Sequence, residues 1–111
     1  MKKFIVLALA LCMALSMAIS ASADGKTVIN VMSFTDEVPG MITKYMEAHP
    51  EVAEKYEVKT TITATTDGLY QPALDQALSA QDSKSPDIYC AEAAFVLKYA
   101  QGDASQYAAA Y

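Results

Sequence analysis

The chain has no tryptophan and no arginine, a single histidine and only two cysteines among its 111 residues. Each scarcity excludes something. Without arginine, and with few lysines, there is no clustered cation to grip nucleic-acid phosphates or an anionic membrane surface. One histidine (His49) and two widely separated cysteines (Cys12 and Cys90) leave no ligand set for a zinc or cluster site. The four glycines form no phosphate-cradling loop, and no G-x-S-x-G, H-E-x-x-H or C-x-x-C motif occurs. No enzyme constellation is visible, so the expectation is a non-enzyme with no cofactor and no metal. His49 stands directly before Pro50, at the end of a helical pattern, and is expected to be solvated.

What the chain does have begins with a leader. Met1-Lys2-Lys3 is a positive n-region, Phe4 to Ile19 carries no charge, and Ala21-Ser22-Ala23 is an A-x-A cleavage signature. The expectation is a signal peptide over 1–23 and export to the periplasm or cell exterior, free or attached to the surface. A spanning anchor fits less well, because the apolar run is short and ends in small residues. Leu11 before Cys12 is too large for a lipid-acceptor signal, and the apolar run continues past it. From Asp24 onward six lysines face thirteen acids, a formal charge of −7. Only Cys90 remains, so no intrachain disulfide can form there, and its apolar neighbours suggest a buried small hydrophobe.

Three strand–helix units follow. Thr27 to Phe34 (TVINVMSF) is apolar on both faces, which predicts a central strand. Thr35-Asp36-Glu37 supplies capping and acidic first-turn residues, and Val38, Met41, Ile42, Tyr45 and Met46 recur at helix-face spacing up to His49-Pro50. Glu57 to Ala64 alternates, with Val58, Thr60, Ile62 and Ala64 on one side and polar residues on the other, as an edge or half-exposed strand does. Thr65-Thr66-Asp67-Gly68 is a turn into the helix expected from Pro72 to Gln81, whose face is Ala73, Leu74, Ala77 and Leu78. Pro86 biases Ser85 toward extended backbone, and the apolar run Ile88 to Ala91 predicts a short strand covered on both faces. A helix bearing Phe95, Val96, Tyr99 and Ala100 comes next, with Gly102 as its cap and another helical turn expected in the tail.

This order implies an α/β fold with right-handed helical crossovers and a parallel sheet. Strand one and strand three are the most apolar, so the expected order is 2-1-3, with a topological switch point between strands one and three. The loops that meet there offer Phe34, Thr35, Asp36, Glu37, Thr66, Asp67, Tyr70 and Glu92. Glu92 has a plain alternative role, charging the first turn of the helix that follows it. As a set, an aromatic face beside carboxylates and hydroxyls suits a neutral polyol: the ring packs on C–H surfaces and the carboxylates accept hydroxyl hydrogen bonds. A cation is another guest for the same acids. A carboxylate pair also brings glycoside hydrolysis to mind, but nothing in the sequence fixes the separation of the two groups.

The stretches VINVMSFTDEVP, TTDGLYQPALDQAL, SPDIYCAEAAFVLKYAQGD and YAAAY, behind a leader, resemble the amino-terminal part of a bacterial extracellular solute-binding protein of family 1. The similarity runs over 24–111 and is most specific in the P-D-I-Y-x-x-E-A-A-F stretch. It implies the first lobe of a type II periplasmic-binding-protein-like fold, with 24–111 as the amino-terminal part of that lobe and a second lobe beyond it. It also implies a sugar held in an interlobe cleft and handed to the transmembrane permease subunits of an ABC importer by a monomeric binding protein. By position, Phe34, Thr35 and Asp36 match the first-strand loop of that family, Asp67 the second and Glu92 the third. The same fold serves peptides, polyamines and other solutes, and a secreted interaction domain without a small ligand is the remaining alternative.

Overall fold

A computed structural model describes residues 24–109. The leader and its cleavage site, expected over 1–23, lie outside the described residues, as do the last two residues. No described helix is long and apolar enough to cross a membrane.

Three parallel strands form one sheet in the order β2-β1-β3. β1 (Thr27–Ser33) lies in the middle and runs in full register with β2 (Tyr56–Ile62), from Thr27 opposite Tyr56 to Ser33 opposite Ile62. β3 is only Ile88–Tyr89, paired with Val31 and Met32. Between the strands run α1 (Glu37–Ala48), the single turn α2 (Pro50–Ala53) and α3 (Tyr70–Ala80). After β3 come α4 (Val96–Ala100) and a 3-10 turn over Asp103–Tyr107. The expected α/β architecture and strand order are both present.

The central position of β1 follows from its side chains. Val28, Val31, Met32 and Ser33 are all buried, so both faces of the strand are covered. Met32 joins Tyr70, Leu74, Leu78, Phe95, Tyr99 and Ala104 in one cluster on the α3 side. Alternation sends Val31 to the opposite face, the side on which a right-handed crossover places α1. Pro39 is buried in the first turn of α1, where a proline costs no intrahelical bond. Pro50 opens α2 in the same way, after His49 has ended α1.

β3 departs from expectation. Two residues pair where four were anticipated, Ile88 is 48% exposed, and Ala91 and Glu92 are exposed. Cys90 is half-buried, not enclosed. The strand stops after Tyr89 because the chain turns there toward α4: the Glu92 carbonyl already accepts Phe95 N–H and Val96 N–H, and Cys90 N–H to the Met32 carbonyl is the last bond to β1. Ahead of the strand, Asp87 N–H donates to the Asn30 carbonyl at 2.9 Å while Asn30 N–H donates to the Asp87 carboxylate at 2.8 Å. Asn30 Nδ2 also donates to the Ser83 carbonyl. A side chain thus completes the β1 edge ahead of β3. On its outer side β3 has no strand neighbour among the described residues, so Ile88 stays open.

The helix-face residues of α1 differ too. Met41 is 64% and Tyr45 54% exposed, and Val38 is exposed as well. Only Pro39 in this helix is fully covered. At the end of α1, Tyr45 stacks on His49 at 4.2 Å, and His49 Nδ1 lies 3.1 Å from Glu51.

Gly102 does cap α4, but not by a left-handed turn, since its φ is −84°. Its N–H donates to the Leu97 carbonyl at 2.9 Å. A Cβ there would stand 2.9 Å from the Lys98 carbonyl oxygen and 3.0 Å from the Lys98 Cα, so close approach requires the glycine.

Candidate functional site

The carboxyl ends of β1 and β3 meet beneath one phenol. Cys90 N–H donates to the Met32 carbonyl at 2.9 Å. The Tyr70 hydroxyl donates to the Cys90 carbonyl at 2.6 Å and also lies 3.3 Å from the Met32 carbonyl. Tyr70 is the first residue of α3 and is only 1% exposed. Burial is the main reason that its hydroxyl is pushed up to about 12, with the neighbouring Cys90 adding to the effect. It therefore remains a proton donor throughout the neutral range.

The turn that delivers Tyr70 uses two left-handed residues in succession, Asp67 at φ 55° and Gly68 at φ 67°. Aspartate and glycine are the residue types that tolerate this conformation. Gly68 N–H closes on the Thr65 carbonyl and Leu69 N–H on the Thr66 carbonyl. The helix begins two residues before the expected start at Pro72, and this converts Tyr70 from a loop side chain into a core one.

Around Tyr70 the aromatic rings interlock. Phe34 meets its ring edge-on at a centroid distance of 5.2 Å, and meets Phe95 at 6.1 Å. Phe95 lies 5.9 Å from Tyr70 and 6.1 Å from Tyr99. These are favourable quadrupole geometries, each stabilising by about 0.5–1.5 kcal/mol beyond area burial.

In front of this wall is a cavity of about 170 Å³ lined by Thr65, Gly68, Tyr70, Gln71, Glu92, Ala94 and Phe95. It sits at the carboxyl edge of the sheet, where the β2–α3 turn faces the β3–α4 turn. Glu92 is exposed and brings the only carboxylate in the lining. Its backbone carbonyl accepts from Phe95 N–H at 3.1 Å and Val96 N–H at 2.9 Å, so the residue both opens the α4 turn and faces the cavity. Its carboxylate does not charge the first turn of α4, which begins at Val96 after Phe95 and carries no acidic residue, so the plain role weighed for it from sequence is not found.

The other predicted site residues are arranged less tightly. Phe34 is half-buried behind the lining, its ring committed to Tyr70 and Phe95. Thr35 and Asp36 are exposed on the β1–α1 loop; Thr35 N–H donates to the buried Ser33 Oγ at 3.3 Å. Asp36 precedes α1 without a side-chain capping bond. Asp67 is exposed on the turn next to Gly68, outside the lining. Of the switch-point residues read from sequence, Tyr70 and Glu92 line the cavity, Phe34 backs it, and Thr35, Asp36 and Asp67 flank it. Thr65, Gln71, Ala94 and Phe95 are lining residues that the sequence reading did not single out. Position could have found Gln71, since it lies in the first turn of the helix that follows the strand-to-helix turn.

A second hollow of about 190 Å³ lies farther down the sheet, between β2, α3 and the loop before β3, lined in part by Thr61, Thr63, Ala77 and Lys84. It has no aromatic and no carboxylate lining residue. Among the described residues no group of three or more His, Cys, Asp or Glu side chains could hold a metal ion. No family model, no curated protein and no solved structure matches the chain.

Proposed function

We propose that the chain is part of an exported solute-binding subunit that captures a sugar or oligosaccharide and passes it to a membrane permease. The observation that carries this reading is the cavity at the carboxyl end of β1 and β3. It puts one carboxylate, a hydroxyl and an amide (Glu92, Thr65 and Gln71) opposite the rings of Tyr70 and Phe95. Open α/β sheets place their ligands at this switch point. The chemistry suits a sugar whose hydroxyls are held by Glu92, Thr65 and Gln71 over an apolar floor in which the Tyr70 and Phe95 rings are almost wholly buried.

A cationic solute such as a polyamine is the second reading. It is favoured by Asp36, Asp67 and Glu92 on the loops at this edge and Glu37 at the start of α1, with no lysine among them.

Titration of the isotope-labelled chain with glucose and maltose, and in parallel with spermidine, tests both. The sugar reading expects amide shifts at Thr65, Gln71, Glu92 and Phe95 in the millimolar range. Weak affinity is anticipated because a single wall leaves most sugar hydroxyls in water, where each new hydrogen bond only replaces an old one. Shifts with spermidine alone would select the second reading, and no shift at these four residues with any of the three would remove the site.

A further inference from the structure

The Tyr70 hydroxyl has no proton to donate to a ligand, because its one proton is already given to the backbone. It donates to the Cys90 carbonyl at 2.6 Å and lies 3.3 Å from the Met32 carbonyl, which also accepts Cys90 N–H. Those two carbonyls belong to the ends of β3 and β1, where the chain leaves the sheet for the two loops. Glu92 comes two residues after Cys90, and Phe34 two residues after Met32. Where a longer β3 would hold this end of the sheet by ladder bonds, β3 has only two residues. One side-chain proton therefore adds to the Cys90–Met32 backbone bond where the short ladder ends.

We propose that Tyr70 is the positioning residue of this site: its hydroxyl pins the carboxyl ends of β1 and β3 together and so fixes Glu92 against the aromatic wall. The ring of Tyr70 contributes to the lining, whereas the hydroxyl acts only through the backbone. The assignment of a ligand to the cavity rests on the reading above; the pinning of the strands does not.

Burial surrounds the contact with groups that would otherwise be hard to satisfy. Tyr70 enters from α3, the Phe34 and Phe95 rings pack on it and on each other, and no buried side-chain polar atom among the described residues lacks a partner. Loss of the hydroxyl leaves the Cys90 carbonyl without this partner, while the ring and its packing stay. Tyr70→Phe is therefore a narrow change, which alters one bond and not the shape of the wall.

The experiment compares the wild-type chain, Tyr70→Phe and, as a control for general destabilisation, Leu78→Ala. Leu78 is buried in the same core on α3 but lies away from the strand ends. Amide hydrogen exchange is measured without ligand. Tyr70→Phe is expected to melt cooperatively with wild-type far-ultraviolet circular dichroism. Exchange at Cys90, whose amide crosses from β3 to β1, should accelerate by about three- to tenfold, the factor for one net hydrogen bond. Amides inside the β1–β2 ladder should not accelerate by more than they do in Leu78→Ala. Unchanged exchange at Cys90, or acceleration spread evenly as in the control, would overturn the proposal.

Maltose titration then adds the site readout. In Tyr70→Phe the shift at Glu92 should need several-fold more maltose than in wild type, whereas Leu78→Ala should titrate as wild type does. Wild-type binding of maltose by Tyr70→Phe would also overturn the positioning role, leaving the sugar reading intact. Absence of any maltose shift in the wild-type chain would remove the sugar reading, and hydrogen exchange would still decide the role of Tyr70.

Discussion

The Tyr99 hydroxyl donates to Asp75 Oδ1 at 2.8 Å, joining α4 to α3 across 24 residues of sequence. Lys98 closes on the other oxygen of the same carboxylate and lies 5.2 Å from the centre of the Tyr99 ring. Tyr99 itself is buried, and its ring packs on Phe95 and Tyr89. A five-residue helix has little stability of its own. This clasp and the aromatic packing are what hold α4, and therefore the Glu92 turn, against the rest of the fold.

Asp75→Ala should therefore destabilise the chain by about 1–2 kcal/mol. The lower part of the range for bonds to charged groups applies because Asp75 and Lys98 are partly solvated. Tyr99→Phe should cost less, since it also removes the donor that would be left unpaired. Urea denaturation of the two single variants and the double variant measures the coupling. If the two costs simply add, the bond carries no stability.

Both buried tyrosines should make the chain sensitive to alkali. Burial raises Tyr70 to about 12, and burial together with the Asp75 carboxylate raises Tyr99 still further. Unfolded tyrosines ionise near 10. Between that value and the folded one, the native state holds protons that the unfolded state has lost, so stability must fall as pH rises. The stabilising contribution is complete below about pH 10 and is lost progressively toward 12. Melting temperatures across this range should decline less steeply in Tyr70→Phe than in wild type; an equal slope would show that Tyr70 does not contribute.

Gly102→Ala should destabilise by about 1–3 kcal/mol, the usual cost of forcing atoms into a filled space. The clash is with backbone, at 2.9 Å from the Lys98 carbonyl oxygen, so no side chain can rotate to relieve it. The 3-10 turn that follows should loosen first, because Ala104 is its buried residue and depends on the path that Gly102 sets. A thermal melt indistinguishable from wild type would mean that the α4 terminus rearranges at no cost.

The strand order was legible because polarity differs so clearly among the strands: Val28, Val31 and Met32 against the half-polar Tyr56–Ile62. Patterns of this kind report what a segment can bury, but not what it meets. The stripe Val38, Met41, Tyr45 encodes an amphipathic helix correctly, yet α1 faces a sheet only three strands wide and its outer residues stay exposed. Cys90 shows the same limit. Its apolar neighbours suggested enclosure, while burial depended on a ladder that stops at Tyr89, with only Cys90 N–H still bonded to Met32. Cys90→Ser should therefore cost less than about 1 kcal/mol, below the penalty for a fully buried hydroxyl. At the site, Glu92 was legible as a carboxylate at a strand end. The helix start was misplaced because Pro72 is a strong helix-opening signal, and Tyr70 and Gln71 lay just before it.

Phe34 decides between two versions of the site. Read from sequence, its ring was a free face for stacking on a sugar. The structure commits that ring edge-on to Tyr70 and Phe95 and leaves it outside the lining of the cavity. If it acts from behind the wall, its contribution is packing, and another apolar side chain of similar size can supply most of it. Phe34→Ala should lower stability by about 2–3 kcal/mol, somewhat below the cost for a fully buried phenylalanine, and should also weaken maltose binding. Phe34→Leu should recover most of both. A ring that touched the sugar directly would behave differently, because leucine would restore stability but not the stacking face. Urea denaturation and maltose titration of the two variants therefore separate the possibilities. Recovery of stability without recovery of binding in Phe34→Leu would place the ring in contact with ligand and would return the site to the arrangement read from the sequence.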